Sequence, residues 1–552
     1  MIVESSPSAE PQADGHAREF AGEAVISPAA LADAIGAGLR LETQPRRTLC
    51  YEWFDTFDWR LHRAGLILER ATEPGRGGAQ LLLRDSDGQL LQVAPENYAR
   101  GLAIGNREAC PLDAVVPAGP VRARLAPVVQ MRALLPLVRV TARVRTFRAV
   151  DAELKTIARI VVEEPIGQPH RLPTPICRLR VVPVRGYENQ ADKLVRRLTA
   201  LPGLRPTSGG WLRSALAEIG RRPGDYTGRV DLRLESTMSA RAAIEALMGQ
   251  LLDAAELNMP GVVADLDTEF LHDLRVSVRR ARTALKLLGD ALPAEVVGRL
   301  TVDLKWMGDL TTPTRDLDAY LLAIGSAEVA GTMDEALQPF HAFLRARRQL
   351  AQKALVRGLS SPRWARACQR WRDLATADQE VVGGIAPAVG MRPFGEVGPP
   401  RIARAYRRAT RLGERITEVT PATDLHALRK RCKELRYLLE FCRSLLDGRS
   451  YRTAIVQLRA LQDCLGEFQD TMVQRAAIDA FADEMLTAGG TSAATIMAMG
   501  RASDALQTRQ GQTRAQFAKR FKRFANRRTR KRVAALFMAR AGLAPDPLPG
   551  QS

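Results

Sequence analysis

The chain has no run of apolar residues near the about 20 needed to cross a bilayer, which argues against a helical membrane span. It also lacks the basic-then-apolar opening of a secretory signal, because Met1 to Asp14 is polar and acidic. Cysteine is scarce and unorganised. Cys50, Cys110, Cys177, Cys368, Cys432, Cys442 and Cys464 form no CxxC pair and no zinc-like spacing, so a disulfide framework and a thiolate metal site are both unexpected. Together these absences point to reduced thiols in a soluble, cytoplasmic protein. Acidic residues are short as well. Asp and Glu number 61 against 81 Lys and Arg, a formal charge of +20 with a pI near 10.2. Such an excess attracts anionic partners at long range without saying which.

What is present is ordinary for a globular chain, with 46% hydrophobic and 26% charged residues. At 552 residues it is too long for one core and suggests two or three domains. Residues 18–207 read as short strands and turns. Gln80–Leu83 and Gln89–Val93 flank an Asp85-Ser86-Asp87-Gly88 turn, and Leu137–Phe147 and Ile157–Val162 are further β-rich runs. A connector is expected over 208–234, marked by Gly209-Gly210 and Arg221-Arg222-Pro223-Gly224. Helical periodicity then runs through 235–380 and 401–535, separated by a Gly/Pro-rich linker over 381–400. Residues 1–17 read as a disordered start and 536–552 as a tail.

The helical region contains a repeat. Leu271-His272-Asp273-Leu274-Arg275 continues to Arg279 and Arg282, and Leu425-His426-Ala427-Leu428-Arg429 continues to Lys433 and Arg436. His272, Arg275, Arg279 and Arg282 fall at i, i+3, i+7 and i+10, an arc of ~80° on a helix. That arc borders the apolar stripe of Leu271, Leu274, Val278, Ala281 and Leu285. The second copy sets His426, Arg429, Lys433 and Arg436 beside Leu425, Leu428, Cys432 and Leu435. A solvated face would mix both charge signs. A stripe of one sign at the edge of the core instead suits an external anion held in a groove. The competing reading pairs these arginines with internal acids such as Asp273, Asp316 or Asp318. The two histidines read as hydrogen-bond donors or buried structural residues, with no cluster around them suggesting a metal. Matching segments follow each copy: Leu304 to Leu310 with Arg315-Asp316-Leu317-Asp318, and Leu461 to Glu467 with Asp470. Their acids either orient the stripe arginines or mark helix ends near Thr311-Thr312-Pro313. Near the C-terminus Phe517, Phe521 and Phe524 form an apolar stripe on a strongly basic helix that includes Lys519 and Arg523, the feature that most favours a nucleic-acid partner.

On these residues, the span from roughly 240 to 530 resembles the CHAD domain, a conserved-histidine helical domain. The resemblance implies two four-helix bundles related by pseudo-twofold symmetry, and a basic surface that binds inorganic polyphosphate without chemistry. The implied contacts are His272, Arg275, Arg279, Arg282, Lys305, Arg315, His426, Arg429, Lys433, Arg436, Lys519 and Arg523. Thr311-Thr312-Pro313 stands where the family usually has a glycine, a departure that would alter a local turn.

The N-terminal region resembles a CYTH domain, a tunnel of eight antiparallel strands, through Trp53 to Leu61, Arg63-Ala64-Gly65-Leu66, Arg143-Val144-Arg145 and Gly203-Leu204-Arg205-Pro206. The fold class expected is therefore multidomain α+β: an antiparallel barrel or tunnel, then an all-α pair of bundles. An active tunnel would hold Mg²⁺ or Mn²⁺ on carboxylates. The family's E-x-E-x-K is absent from the first strand, which reads Ala17-Arg18-Glu19-Phe20-Ala21-Gly22-Glu23. In the late strand, Arg178 and Arg180 stand where glutamates are usual. Guanidinium groups repel a metal. The resemblance thus implies a degenerate tunnel, with Arg70, Arg84, Arg143 and Arg145 left to bind phosphate weakly. Glu163 and Glu164, the remaining adjacent acids, read as turn-facing and solvated. The expectation is a polyphosphate-binding protein with no catalytic residue, no membrane partner and no cofactor, Mg²⁺ or Mn²⁺ applying only to an active tunnel. Its rivals are a metal-dependent inorganic triphosphatase and a nucleic-acid-binding protein, the latter disfavoured because the repeat stripes lack interleaved aromatics. Family members imply a place at polyphosphate granules, though no localisation signal is present.

Overall fold

The computed structural model describes residues 18–22, 26–36, 38–74, 79–94, 110–166, 177–207, 210–228, 232–325, 335–376 and 387–535. The expected disordered start and tail lie outside these. The chain divides into two compact units, Met1–Gly228 and Arg229–Ser552.

Unit 1 is built on β1 (Arg18–Gly22), β2 (Arg40–Thr43), β3 (Arg47–Asp55), β4 (Leu66–Thr72), β5 (Ala79–Asp85), β6 (Leu90–Ala94), β7 (Leu135–Val150), β8 (Thr156–Pro165), β9 (Cys177–Pro183) and β10 (Leu204–Pro206). They form one antiparallel sheet in the order β10-β1-β9-β8-β7-β3-β4-β5-β6, with β2 added on β7. The sheet curls into a half-barrel. Among the described residues ten strands therefore stand where eight were expected. The β5–β6 hairpin closes at the Asp85–Gly88 turn, where Asp85 Oδ1 accepts from the backbone N–H of Asp87 and Gln89 and Gly88 takes a φ of 83°.

Cross-strand partners share a face, so the register sorts the side chains. One face carries Tyr51, Trp53, Val140 and Ala142, covered by Trp211 and Ala215 of α6 (Gly210–Glu218). The other is covered in two places. Phe147, Ala158, Ile160 and Leu179 pack against Leu31 of α1 (Pro28–Ile35) and Leu194 of α5 (Glu188–Thr199). Phe54, Leu68 and Leu83 pack against Leu61 of α2 (Arg60–Arg63), Val115 of α3 (Leu112–Val115) and Leu125 of α4 (Pro120–Val129). The stretch read as a connector is thus partly structural: Trp211 is 4% exposed, and Asp225 accepts from Trp59 Nε1 at 2.6 Å.

Unit 2 is helical: α7 (Ala240–Val263), α8 (Thr268–Leu288), α9 (Ala294–Gly325), α10 (Gln338–Leu359), α11 (Pro362–Thr376), α12 (Ala388–Met391), α13 (Phe394–Gly413), α14 (Ala422–Phe441), α15 (Gly448–Ala488), α16 (Ala493–Phe524) and α17 (Arg527–Ala535). Side-chain caps start several of them, among them Ser239 on α7, Asp267 on α8, Asp447 on α15 and Ser492 on α16.

Three expectations change here. Residues 387–400 are not linker but form α12 and the first turns of α13, including Pro399 and Pro400. The glycines there permit close approach: a Cβ at Gly390 would lie 2.4 Å from the Ala291 carbonyl oxygen, and one at Gly398 2.9 Å from Cys442 Sγ. Thr311-Thr312-Pro313 is not a helix end, because α9 runs through it. Finally, the halves share their interiors. Leu337, Phe340 and Leu344 from α10 and its preceding turn pack with Ile478 and Met485 of α15 and Met499 and Leu506 of α16.

Candidate functional site

The apolar stripes of both repeat helices are buried, Leu271, Leu274, Val278 and Ala281 on α8 and Leu425, Leu428, Cys432 and Leu435 on α14. Their basic edges are consequently turned along the rim of the core, and they meet. Arg279 Nε donates to Tyr437 Oη of α14 at 2.9 Å, Arg280 pairs with Glu440 at 3.1 Å, and Lys286 with Glu434 at 2.6 Å. Arg279 is also among the charges that act most strongly on Lys433.

Each stripe is then flanked by the following helix. Arg275 Nη1 donates to the Gly308 carbonyl at 3.0 Å and to the hydroxyls of Thr311 and Thr312 at 2.9 and 2.8 Å. The Thr-Thr-Pro departure thus serves as an anchor for a stripe arginine. On α14, His426 Nδ1 bonds Gln469 Oε1 at 2.8 Å, Arg429 pairs with Asp470 at 3.1 Å, and Arg436 pairs with Glu440 at 2.8 Å and reaches Gln462 at 3.3 Å. Two glycines lie against guanidinium groups: a Cβ at Gly308 would be in ordinary contact 3.4 Å from Arg282 Nη1, and one at Gly466 3.7 Å from Arg429 Nη2.

The charge balance along the two stripes is uneven. Among the described residues, Arg275, Arg279, Arg282 and Lys433 have no carboxylate at ion-pair distance, while Arg429 and Arg436 do. Burial first, then Arg279 and Arg429, with Arg436 adding and Asp470 opposing, pushes the Lys433 amine down to about 7. Of the acids proposed as internal partners, Asp318 is committed to Arg348 at 2.8 Å instead. Burial raises the Asp316 carboxyl while Arg275 and Arg315 oppose that rise. Lys305 pairs with Asp309 at 2.7 Å on the exposed side of α9, and Arg315 with Glu269 at 3.9 Å. Lys519 and Arg523 are exposed on α16 and, among the described residues, bonded to no stripe residue. Sequence reasoning missed Tyr437, Gln462, Gln469 and Glu440 as partners of the stripe residues. Gln462 and Gln469 are seven apart on α15, a spacing that would have placed them on one face.

A family model of the CHAD domain matches residues 246–479. Unit 2 carries a CHAD domain. The CHAD domain from the plant Ricinus communis aligns with a TM-score of 0.41 and 24% identity, over 56% of this chain and 96% of that one. PptA from Streptomyces chartreusis aligns with a TM-score of 0.39 and 16% identity, over 52% and 99%. No match was found among curated proteins. No helix of the described residues is long and apolar enough to cross a membrane.

Unit 1 holds a charged cluster of its own. On the sheet face covered by α6, Glu19, Glu69 and Glu163 meet Arg84, Arg178 and Arg180. Glu163 is fully buried, which overturns its reading as solvated. It pairs with Arg178, with Arg180 at 2.9 Å, and accepts from Tyr51 Oη. Burial alone would raise it, but the two guanidinium groups hold its carboxyl down to about 2. Arg178 also lies over two adjoining rings, its Cζ 5.1 Å from the centre of Tyr51 and 4.9 Å from that of Trp211.

The four expected tunnel arginines do not converge. Only Arg84 lies on this face, 3.7 Å from Glu69. Arg70, Arg143 and Arg145 point to the other, where Glu52 takes Arg70 at 2.8 Å and Glu164 takes Arg143 at 3.9 Å and Arg145. A divalent metal does not fit this donor set, since each carboxylate of the cluster already faces a guanidinium group. Among the described residues no three His, Cys, Asp or Glu side chains converge closely enough to hold a metal ion.

Proposed function

We propose that the CHAD domain binds inorganic polyphosphate in the groove between α8 and α14, with Arg275, Arg279, Arg282, Arg429, Lys433 and Arg436 contacting phosphate oxygens. The observation that carries this reading is Lys433, enclosed by Arg279, Arg429 and Arg436 with no carboxylate of its own among the described residues. Like charges held together at the rim of a core are costly unless an anion joins them. Guanidinium groups suit a chain of tetrahedral phosphates because each can donate bidentately. His272 and His426 add hydrogen bonds, and Lys305 and Arg315 lie at the margins. Unit 1 acts in this reading as a charge-compensated scaffold with no hydrolytic role.

Binding of long-chain polyphosphate to the full chain, followed by titration at several salt concentrations, tests the proposal. Affinity should fall steeply with salt as counterions are released. Arg279→Glu combined with Arg282→Glu, both exposed positions, should reduce affinity at least tenfold with helical content preserved; unchanged affinity places the site elsewhere. The rival enzymatic reading is tested by incubation with tripolyphosphate and Mg²⁺ or Mn²⁺, where metal-dependent phosphate release would refute the scaffold role.

A further inference from the structure

The groove reading leaves out a second concentration of positive charge on unit 2. Arg404, Arg407, Arg408 and Arg411 lie on α13, and Arg415 just beyond its end. Their spacing places them in an arc of ~100° along roughly 16 Å of helix axis. The arc lies opposite Ile402, Tyr406, Ala409 and Gly413, the buried face, and all five arginines are exposed. Among the described residues none of the five has an acid at ion-pair distance. Glu414, beside Arg415 in sequence, is taken by Arg530 at 2.5 Å.

A second basic element lies alongside. Tyr406 Oη donates to the Phe524 carbonyl at 3.0 Å, with ring centroids 5.2 Å apart. Gly413 admits the Phe521 ring so closely that a Cβ would fall 2.1 Å from it. These contacts dock the end of α16 and the start of α17 against α13. Arg523, Arg527, Arg528 and Lys531 are exposed there.

We propose that α13, α16 and α17 form a docking surface for duplex nucleic acid, separate from the groove between α8 and α14. A solvated helix face normally mixes acids among its bases, and this one does not. Every basic residue named on this surface is exposed. A flexible anionic chain would have to be ordered on it at an entropic cost, whereas a duplex arrives with its rows of phosphates already fixed. Single strands are not favoured, because Phe517, Phe521 and Phe524 pack toward the core and leave no aromatic platform for bases. Contact is therefore with the backbone and independent of sequence.

The test is fluorescence anisotropy of the full chain with a mixed-sequence duplex DNA of about 20 base pairs. Two variant sets are compared, Arg404→Glu with Arg408→Glu and Arg411→Glu, and Arg527→Glu with Arg528→Glu and Lys531→Glu. Each should weaken duplex binding at least tenfold and flatten its salt dependence by about 0.9 in slope for every phosphate left unneutralised, while long-chain polyphosphate affinity stays within twofold. The groove pair Arg279→Glu and Arg282→Glu should do the reverse, which separates failure of this proposal from failure of the groove reading. Glutamine replaces glutamate in any set that loses helicity. Absence of duplex binding, duplex binding indifferent to both sets, or a parallel loss of polyphosphate binding overturns the proposal. So does tighter, set-sensitive binding to phosphatidylserine vesicles.

Discussion

Lys433 gives the sharpest test of the groove, because its charge should depend on whether the groove is filled. The amine faces Arg279 from α8, Arg429 and Arg436 from its own helix and Asp470 from α15, and sits at about 7 in the free protein. A phosphate chain supplies the missing negative charge and returns it toward the ordinary lysine value of ~10.4. Binding then takes up a proton, and linkage makes affinity fall about tenfold between pH 6 and pH 8, or ~1.4 kcal/mol. Calorimetric titration in two buffers of different ionisation enthalpy measures the uptake, roughly 0.9 proton at pH 8. Lys433→Arg should flatten the pH profile while keeping tight binding, and Lys433→Met should flatten it and bind more weakly. Long polymers keep terminal phosphates from contributing, and His426→Gln controls for the stripe histidine. In the empty protein the unfolded chain binds the extra proton between pH ~7 and ~10, so this lysine makes stability rise with pH across that window. A flat wild-type profile, or an arginine variant that keeps the slope, would refute the reasoning.

Other perturbations follow from the same geometry. Glu163→Gln leaves Arg178 and Arg180 buried without their carboxylate, and chemical denaturation should show unit 1 weakened by ~3–5 kcal/mol; a change below about 1 kcal/mol would contradict the buried pairing. Asp55 accepts from the backbone N–H of Thr56, Leu61 and His62 at 2.7, 2.8 and 2.9 Å. Asp55→Ala should therefore cost ~2–3 kcal/mol, read as a lower Tm. Burial pushes the Asp55 carboxyl up to about 6, so its own contribution to stability should decline as pH rises from about 4 to 6 and level off above. Gly390→Ala would set a Cβ 2.4 Å from a backbone oxygen and should destabilise unit 2 by ~1–3 kcal/mol. Gly500→Ala, with nothing within 4 Å, should be neutral or stabilising by up to ~1 kcal/mol.

Periodicity alone located much of this. The 3.6-residue stripes at Leu271–Leu285 and Leu425–Leu435 are buried as their spacing requires, and the β5–β6 hairpin turns where Asp85 and Gly88 indicate. Charge could be read only as sign and spacing. That Arg275 would be anchored by threonine hydroxyls, or that Arg429 would be partly neutralised while Lys433 was not, depends on partners 36 and 41 residues away, whereas the Arg436–Glu440 pair is local, four residues apart on α14. Alternation in the strands also misled. Arg143 and Arg145 look like a tunnel lining, yet the register turns them away from Arg178 and Arg180. Glycine and proline over 381–400 read as punctuation because composition does not distinguish a flexible joint from a crowded crossing, which Gly390 and Gly398 turn out to be.

The interior shared by α10, α15 and α16 has a bearing on how a doubled helical domain is maintained. Severing the chain between its copies would strip Phe340 and Leu344 from Ile478, Met485 and Leu506, leaving two fragments with raw apolar flanks in place of two independent modules. Each copy has become part of the other's solvent shield, so neither can be lost, swapped or produced alone without the remaining one seeking a substitute cover.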